Sequence, residues 1–151
     1  MDIIVHTLEY FGPEIHSSLS LRNYREDDFE TYADAYDQCF SKMRTALNIS
    51  PVHCCADRKT LLKNCDKIFI YEKNSEFCGA VTIKHHEIDD LIVPEKKQRQ
   101  GFGQELLIFS LCYLQRQHLS SIQLHVADWN QNALKLYLKT GFQIIHTETI
   151  R

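Results

Sequence analysis

The chain has 151 residues, of which 44% are hydrophobic and 25% charged, and its formal net charge is −3. This composition is ordinary for a globular protein, and the length predicts one domain over residues 1–151 with a core of its own. The charge pattern shows no nucleic-acid footprint, and no apolar run approaches the ~18 residues of a membrane helix.

The N-terminus and the cysteines predict a reduced, cytoplasmic protein. Residues 1–12 lack a basic region and include Asp2 and Glu9, so we expect no signal peptide. Without export, the six cysteines are expected to remain thiols. Cys54 and Cys55 follow His53, but this spacing matches no usual zinc pattern, so we expect no metal.

The two parts of the chain differ in charge. Residues 1–90 contain 16 acidic and 10 basic residues, whereas residues 91–151 contain 4 and 7. The acidic part would suit a cationic partner, and the basic part would suit an anionic ligand.

The spacing of apolar residues predicts strands alternating with helices. Strands are expected at residues 3–8, 19–24, 67–72, 77–85, 87–93, 121–126 and 142–149. Helices are expected at residues 29–40, 57–65, 103 to about 117, and 132–140, and residues 43–56 are irregular. The helix that follows strand 87–93 should make it parallel to strand 121–126, so we expect a mixed α/β sheet.

The stretch from Leu91 to Gln117 predicts an anion site. An apolar strand is followed by a basic turn with Gly101 and Gly103 and then by a long amphipathic helix. The first turn of a helix has unpartnered amides and a partial positive charge, which suits phosphate. The alternative is a plain strand–helix connection with a basic surface. No P-loop motif is present, and Leu106 stands where the dinucleotide fingerprint needs a third small residue.

Two motifs resemble the GNAT acyltransferase superfamily. Gln98–Gly103, QRQGFG, matches its pyrophosphate loop, and Leu91 and Val93 match the preceding strand. The second motif is matched by Asn130, Ala133, Leu136, Tyr137, Lys139, Gly141 and Phe142. The resemblance implies a mostly antiparallel central sheet with one parallel, splayed pair and about four flanking helices. It also implies an N-acetyltransferase that uses acetyl-CoA as co-substrate and a primary amine, of a small molecule or a peptide, as acceptor. Residues 1–18 match no part of it.

The resemblance also implies which residues hold the co-substrate. Pantetheine would lie between the splayed strands and bond the backbone of Leu91, Ile92 and Val93. The pyrophosphate would bind the loop and helix start, formed by Gln98, Arg99, Gln100, Gly101, Phe102, Gly103 and Gln104. Asn130 would bond the pantetheine arm, or it caps a helix. Tyr137 would protonate the departing thiolate, or it is a buried aromatic of an amphipathic helix.

The base that deprotonates the amine is expected on strand 87–93. By simple alternation Glu87 and Asp89 share the face of Leu91 and Val93, whereas Asp90 points to the other face unless a bulge intervenes. We therefore predict Glu87 and then Asp89, with His125 as a further candidate. The alternative is that these groups form only a polar sheet edge.

Pro94 departs from the family pattern, because it directly follows Val93 and Glu95 takes the usual place of the proline. We expect the loop to hold and the strand end to differ. Two other functions stay open, a non-catalytic acyl-CoA-binding module and an unrelated nucleotide-binding domain. A homodimer is an expectation by analogy alone.

Overall fold

The computed structural model of the protein describes residues 2–119 and 121–150. Within these residues, seven strands form one sheet and four helices pack on it. The strands are β1 (Ile3–Tyr10), β2 (Arg22–Asn23), β3 (Ile68–Lys73), β4 (Glu76–Lys84), β5 (Glu87–Ile92), β6 (Gln123–Ala127) and β7 (Phe142–Ile150). The helices are α1 (Phe29–Ala46), α2 (Arg58–Lys63), α3 (Phe102–Arg116) and α4 (Gln131–Thr140).

The strand order across the sheet is β2-β3-β4-β5-β6-β1-β7. Neighbouring strands run antiparallel, except that β5 and β6 are parallel, as the intervening α3 requires. The expected mixed α/β sheet with one parallel pair and about four helices is confirmed.

The N-terminal strand lies inside the sheet. β1 pairs with β6 through Val5 opposite Ala127, and with β7 through Val5 opposite Glu148. The last strand in the chain, β7, is therefore an edge strand, and the first one separates it from β6.

The core has two layers, one on each face of the sheet. On one face α3 buries Leu106, Leu107, Leu111 and Leu114 against β4 and β6, which gives the helix its apolar stripe. On the other face Tyr32 and the rest of the buried stripe of α1 cover β3, β4 and the end of β5.

Two predicted elements differ from the structure by more than two residues at one end. Residues 19–24 form only the two-residue strand β2, because Leu19 and Leu21 pack against the α3-side core instead of joining a ladder. Just upstream, the backbone amide of Ile15 bonds the Gln115 side chain at 2.7 Å. The helix predicted at 29–40 continues to Ala46, into the stretch expected to be irregular.

Candidate active site

The start of α3 has unpartnered backbone amides at the glycine turn where the sequence predicted an anion site. Gly101 is the N-cap residue and has φ 91°, a left-handed conformation that favours glycine. The amide of Glu105 makes the first intrahelical bond, to the Gly101 carbonyl at 3.0 Å. The amides of Phe102, Gly103 and Gln104 precede that bond, so they have no acceptor within the helix.

The side chains in this turn leave the backbone accessible. Phe102 is buried edge-on against Tyr71, with 5.4 Å between the ring centroids. A Cβ on Gly103 would lie 3.9 Å from side-chain atoms of Leu91 and Val93, so that position sits close to the end of β5. Any ligand of this turn would therefore meet main-chain donors, not the Phe102 ring.

The basic residues beside the turn do not all face it. The Lys97 ammonium lies 2.5 Å from the Glu76 carboxylate on β4, which raises the pKa of Lys97. Lys96 and Arg99 are exposed. The side-chain amide of Gln100 donates to the Lys96 carbonyl at 3.2 Å. Lys97 thus pairs with Glu76 on β4. Lys96 and Arg99 are the basic residues of this turn whose side chains could contact a bound anion.

The strand end before the loop is fixed by side chains. The Val93 carbonyl accepts from the Gln98 amide at 2.9 Å and from the Cys39 thiol at 3.4 Å. After Pro94, the Glu95 amide donates to the Gln38 side chain at 2.8 Å. The strand β5 ends at Ile92, one residue before the predicted end at Val93. The Gln98 side chain therefore links the loop to the end of β5.

Strands β5 and β6 pair at one end only. Among the described residues their sole paired position is Glu87 opposite Gln123, where the Gln123 amide bonds the His86 carbonyl at 3.0 Å. Further along, Leu91 and Val126 line opposite sides of one cavity. The two strands thus diverge, which leaves backbone groups of β5 facing a gap.

A bulge in β5 changes which side chains share a face. Ala80 on β4 opposes Ile92, but Thr82 opposes Asp89, so β5 carries one extra residue between them. Asp90 lies in this bulge with φ 30°. Leu91 and Val93 pack on the α3 side and Asp90 reaches α1, so Asp90 lies on the face that simple alternation predicted. Because of the bulge, Ile88 shares the α3 side with Leu91 and Val93. The prediction that Glu87 and Asp89 share the face of Leu91 and Val93 is therefore wrong.

The gap between the strands opens into a cavity of about 350 Å³. Its polar groups are Asp89 and Asp90 from β5, His125 from β6, and Asn130 and Tyr137 from the turn and helix beyond. The rest of its wall is apolar. The structure thus brings together the predicted acid, one of the two predicted bases and the candidate pantetheine contact.

Asp90 is the most perturbed carboxyl group of the cavity. Burial, and next the charge of Asp89, raise its pKa to about 6. The Tyr36 hydroxyl donates to Asp90 at 3.4 Å, and Lys84 partly offsets the rise. A carboxylate with a pKa near the working pH is well matched to accept a proton. Asp90 and Tyr36 are the site residues that sequence reasoning missed.

The predicted bases lie in a more polar setting. The Glu87 carboxylate is 39% exposed and lies 3.4 Å from His125 Nε2. The Asp89 carboxylate is 48% exposed and lies 4.0 Å from the Lys84 ammonium. The other nitrogen of His125, Nδ1, bonds the Thr7 hydroxyl at 2.9 Å. Glu87 thus lies where β5 and β6 are still paired, whereas Asp89 reaches the cavity.

Asn130 and Tyr137 both line the cavity from α4. The Asn130 side chain accepts from the Ala133 amide at 3.4 Å, so it caps α4, as its alternative interpretation held. The Tyr137 ring packs edge-on against Phe142 at 6.1 Å. Burial raises the pKa of Tyr137 to about 12, so its hydroxyl stays protonated at neutral pH.

No group of three or more His, Cys, Asp or Glu suited to a metal ion occurs in the part of the chain that the structure describes. His53 instead contacts the Asp37 carboxylate. In residues 2–119 and 121–150, no helix combines the length and apolar character of a membrane span.

Comparison with known proteins shows which family the chain belongs to. Residues 19–142 match the sequence profile described as the acetyltransferase (GNAT) family. The chain belongs to the GNAT family. No curated protein matches this GNAT chain significantly by sequence.

Solved structures share its fold at low sequence identity. A mutant form of the BH1408 protein from Bacillus halodurans has a TM-score of 0.75 and 14% identity, over 88% of this chain and 98% of that one. PaiA N-acetyltransferase from Thermoplasma acidophilum, in complex with coenzyme A, gives 0.70 and 15%, over 82% and 89%. YncA from Salmonella typhimurium, with its cofactor acetyl-CoA, gives 0.65 and 14%, over 86% and 82%.

Other structural relatives are longer than this GNAT chain. The chain spans 63%, 50% and 56% of the length of relatives from Novosphingobium aromaticivorans, Drosophila and Colwellia psychrerythraea.

Gly103→Glu should abolish coenzyme A binding, because it adds bulk and negative charge beside the free amides of α3. Gly103→Ala is the matched control, since its Cβ would lie 3.9 Å or more from its neighbours. We expect the affinity of Gly103→Glu for coenzyme A to fall at least ~100-fold, because the charge-assisted hydrogen bonds to the phosphate are lost. Titration calorimetry measures both variants. Unchanged affinity in a folded Glu variant would exclude this turn as the phosphate site.

Asp90→Asn should stabilise the fold at alkaline pH. The folded-state pKa of about 6 exceeds the ordinary value of ~3.9, so ionisation of Asp90 destabilises the protein. The stability linked to this group is complete below ~3.9 and is lost as pH rises to about 6.

The asparagine variant lacks this loss, so its melting temperature should exceed that of the parent at pH 8 and approach it at pH 4. Melting curves at the two pH values measure the difference, with Glu87→Gln as the control at a more exposed carboxylate of the same strand. An equal difference at both pH values would contradict the burial of an ionisable Asp90.

Proposed function

We propose that this GNAT protein transfers the acetyl group of acetyl-CoA to a primary amine, which attacks directly in a ternary complex. The observation that carries the proposal is the position of Asp90. This partly buried carboxyl faces a cavity between two diverging strands, and the free amides of α3 lie at the end of the same strand.

The residues present fit coenzyme A. Gly101 takes a left-handed conformation with no atom within 4 Å of its Cβ position, so an anion can approach the first turn of α3. We propose that the diphosphate binds there, along Gln98, Arg99, Gln100, Gly101, Phe102, Gly103 and Gln104. Pantetheine would lie along Leu91, Ile92 and Val93, with Asn130 and Tyr137 across the gap. The thioester supplies an activated acetyl group to the amine.

Asp90 is proposed to remove the proton of the amine. A lysine-like amine is unprotonated in only about one part in a few thousand at pH 7, so attack requires a base. At this pH Asp90 is mostly ionised, and its raised pKa makes it a stronger base than an exposed aspartate. Glu87 and Asp89 stay predicted alternatives, and direct comparison of the three variants distinguishes them.

Tyr137 is proposed to donate a hydrogen bond to the departing thiolate. A phenol of pKa about 12 is a weaker acid than a thiol of pKa ~8.5. Complete proton transfer would therefore be uphill by roughly 5 kcal/mol, at 1.36 kcal/mol for each unit of pKa. Hydrogen bonding alone stabilises the developing charge without that cost.

An amine-panel assay tests the function. Purified protein is incubated with acetyl-CoA and single amines, and free thiol is measured together with the acetylated product by mass. We expect amine-dependent thiol release that Gly103→Glu abolishes. Tight coenzyme A binding without turnover on any amine would instead support the acyl-CoA-binding module. Equal affinity for adenosine diphosphate and coenzyme A would support the nucleotide-binding alternative.

Tyr137→Phe should lower kcat by about 100-fold while the Kd for coenzyme A changes little, because only the transition state carries charge on the sulfur. The ring keeps its edge contact with Phe142, so the fold should be retained. Steady-state rates and calorimetry on the same preparations separate the two quantities. Equal rates for variant and parent would remove Tyr137 from the chemistry.

Asp90→Asn should remove the acidic limb of the pH–rate profile. In the parent we expect kcat/KM to rise with pH through about 6, the pKa of Asp90, before the amine itself titrates. The variant should be at least ~100-fold slower, with no limb near that pH. Glu87→Gln and Asp89→Asn are measured beside it. If either of these removes the limb while Asp90→Asn keeps it, the base is that residue.

A further inference from the structure

The acceptor side of the cavity is apolar beyond Asp90. Four wall residues come from the second half of α1 and the turn after it, and three come from the ends of β1 and β7. These residues are Phe40, Met43, Leu47, Ile49, Ile3, Val5 and Ile150. None of them ionises, and several are aliphatic or thioether side chains that adapt to an apolar body.

Part of this wall lies outside the residues that match the family profile. Ile3, Val5 and Ile150 lie outside the residues 19–142 that match the GNAT profile. Ile3 opposes Ile150 where β1 pairs with β7, so the two side chains close the same end of the cavity. The insertion of β1 beside β6 brings Val5 next to Ala127 of the wall.

The charges of the cavity lie at one end. In the described part of the chain, the acids that line it are Asp89 and Asp90, and its histidine is His125. Glu87 and Lys84 stand behind them at the paired part of the sheet. At this end the cavity offers carboxylates to one ammonium group of a bound amine. A second ammonium beside Met43 and Leu47 would contact only uncharged wall residues, where giving up water is unfavourable. The Glu148 carboxylate, on β7 opposite Val5, is exposed and does not line the cavity.

The size of the cavity sets a further limit. Its volume of about 350 Å³ is near the lower bound of ~300–1,000 Å³ for small-molecule sites. The acetyl end of the donor must share this space with the acceptor. A short alkyl or single-ring amine fits, whereas an amino acid would place its own carboxylate beside Asp89 and Asp90.

We propose that the acceptor is a primary monoamine with an apolar body, held by its ammonium at Asp90 and by its carbon skeleton between α1 and the ends of β1 and β7. This inference rests on the proposed acetyl transfer and names the substrate class of that site. Polyamines, amino acids and peptide N-termini are the acceptors it excludes.

The test uses two amines of equal length. Hexylamine and 1,5-diaminopentane each have seven non-hydrogen atoms and differ in whether the far end is a methyl group or an ammonium. We expect kcat/KM with acetyl-CoA to be at least about tenfold higher for hexylamine, in the range that apolar pockets discriminate. Phenethylamine should also be accepted, and a tripeptide with a free N-terminus should not.

Met43→Glu reverses the chemistry of the far wall, and Met43→Gln is its uncharged control. The glutamate variant should favour 1,5-diaminopentane, and the glutamine variant should keep the parent preference. Leu47→Glu provides the same test at the end of α1 if the first variant does not fold. Coenzyme A affinity confirms that each variant keeps the donor site.

The outcomes separate this inference from the proposed function. Transfer to amines with the diamine or tripeptide preferred by the parent would overturn the acceptor class and leave the acetyltransferase. A Met43→Glu ratio unchanged from the parent would do the same. Faster reaction of hexanoyl-CoA with methylamine than of acetyl-CoA with hexylamine would assign the apolar wall to the acyl chain. Absence of transfer to every amine would overturn the proposed function itself.

Discussion

The pairing of β5 with β6 stops after one position, and the rest of the site depends on that interruption. The bulge at Asp90 explains it, because the extra residue turns β5 away from the line of β6. Because the sheet opens here, backbone groups and side chains that would otherwise bond each other face a cavity. The same opening places the start of α3 at its margin.

The bulge also places a carboxylate where it lowers the stability of the fold but is suited to accept a proton. It carries Asp90 towards Tyr36 on α1, where burial disfavours the charged carboxylate. A fold optimised for stability would have a neutral side chain there. The strained φ of 30° and the raised pKa occur at one residue, which is typical of positions kept for function.

The site has a part that follows the family and a part that does not. The glycine turn, the strand before it and α4 carry the GNAT motifs and would handle the donor. The apolar wall opposite comes from α1, which the family profile also covers, and from Ile3, Val5 and Ile150 of β1 and β7, which lie outside it. If acetyl transfer occurs as proposed, donor and acceptor would contact different elements of the chain.

The sequence by itself determined the order of the elements, the parallel pair and the glycine turn, because these follow from local periodicity and from short motifs. It also indicated Asp57 as the start of α2, whose side chain bonds the Thr60 amide at 2.8 Å. Only the tertiary structure decided that β1 lies between β6 and β7, because strand pairing across more than 100 residues leaves no local pattern. It alone decided that Glu87 and Asp89 do not share the face of Leu91 and Val93. A bulge adds one residue to a strand without changing its composition, and that one residue reverses every side-chain direction that follows.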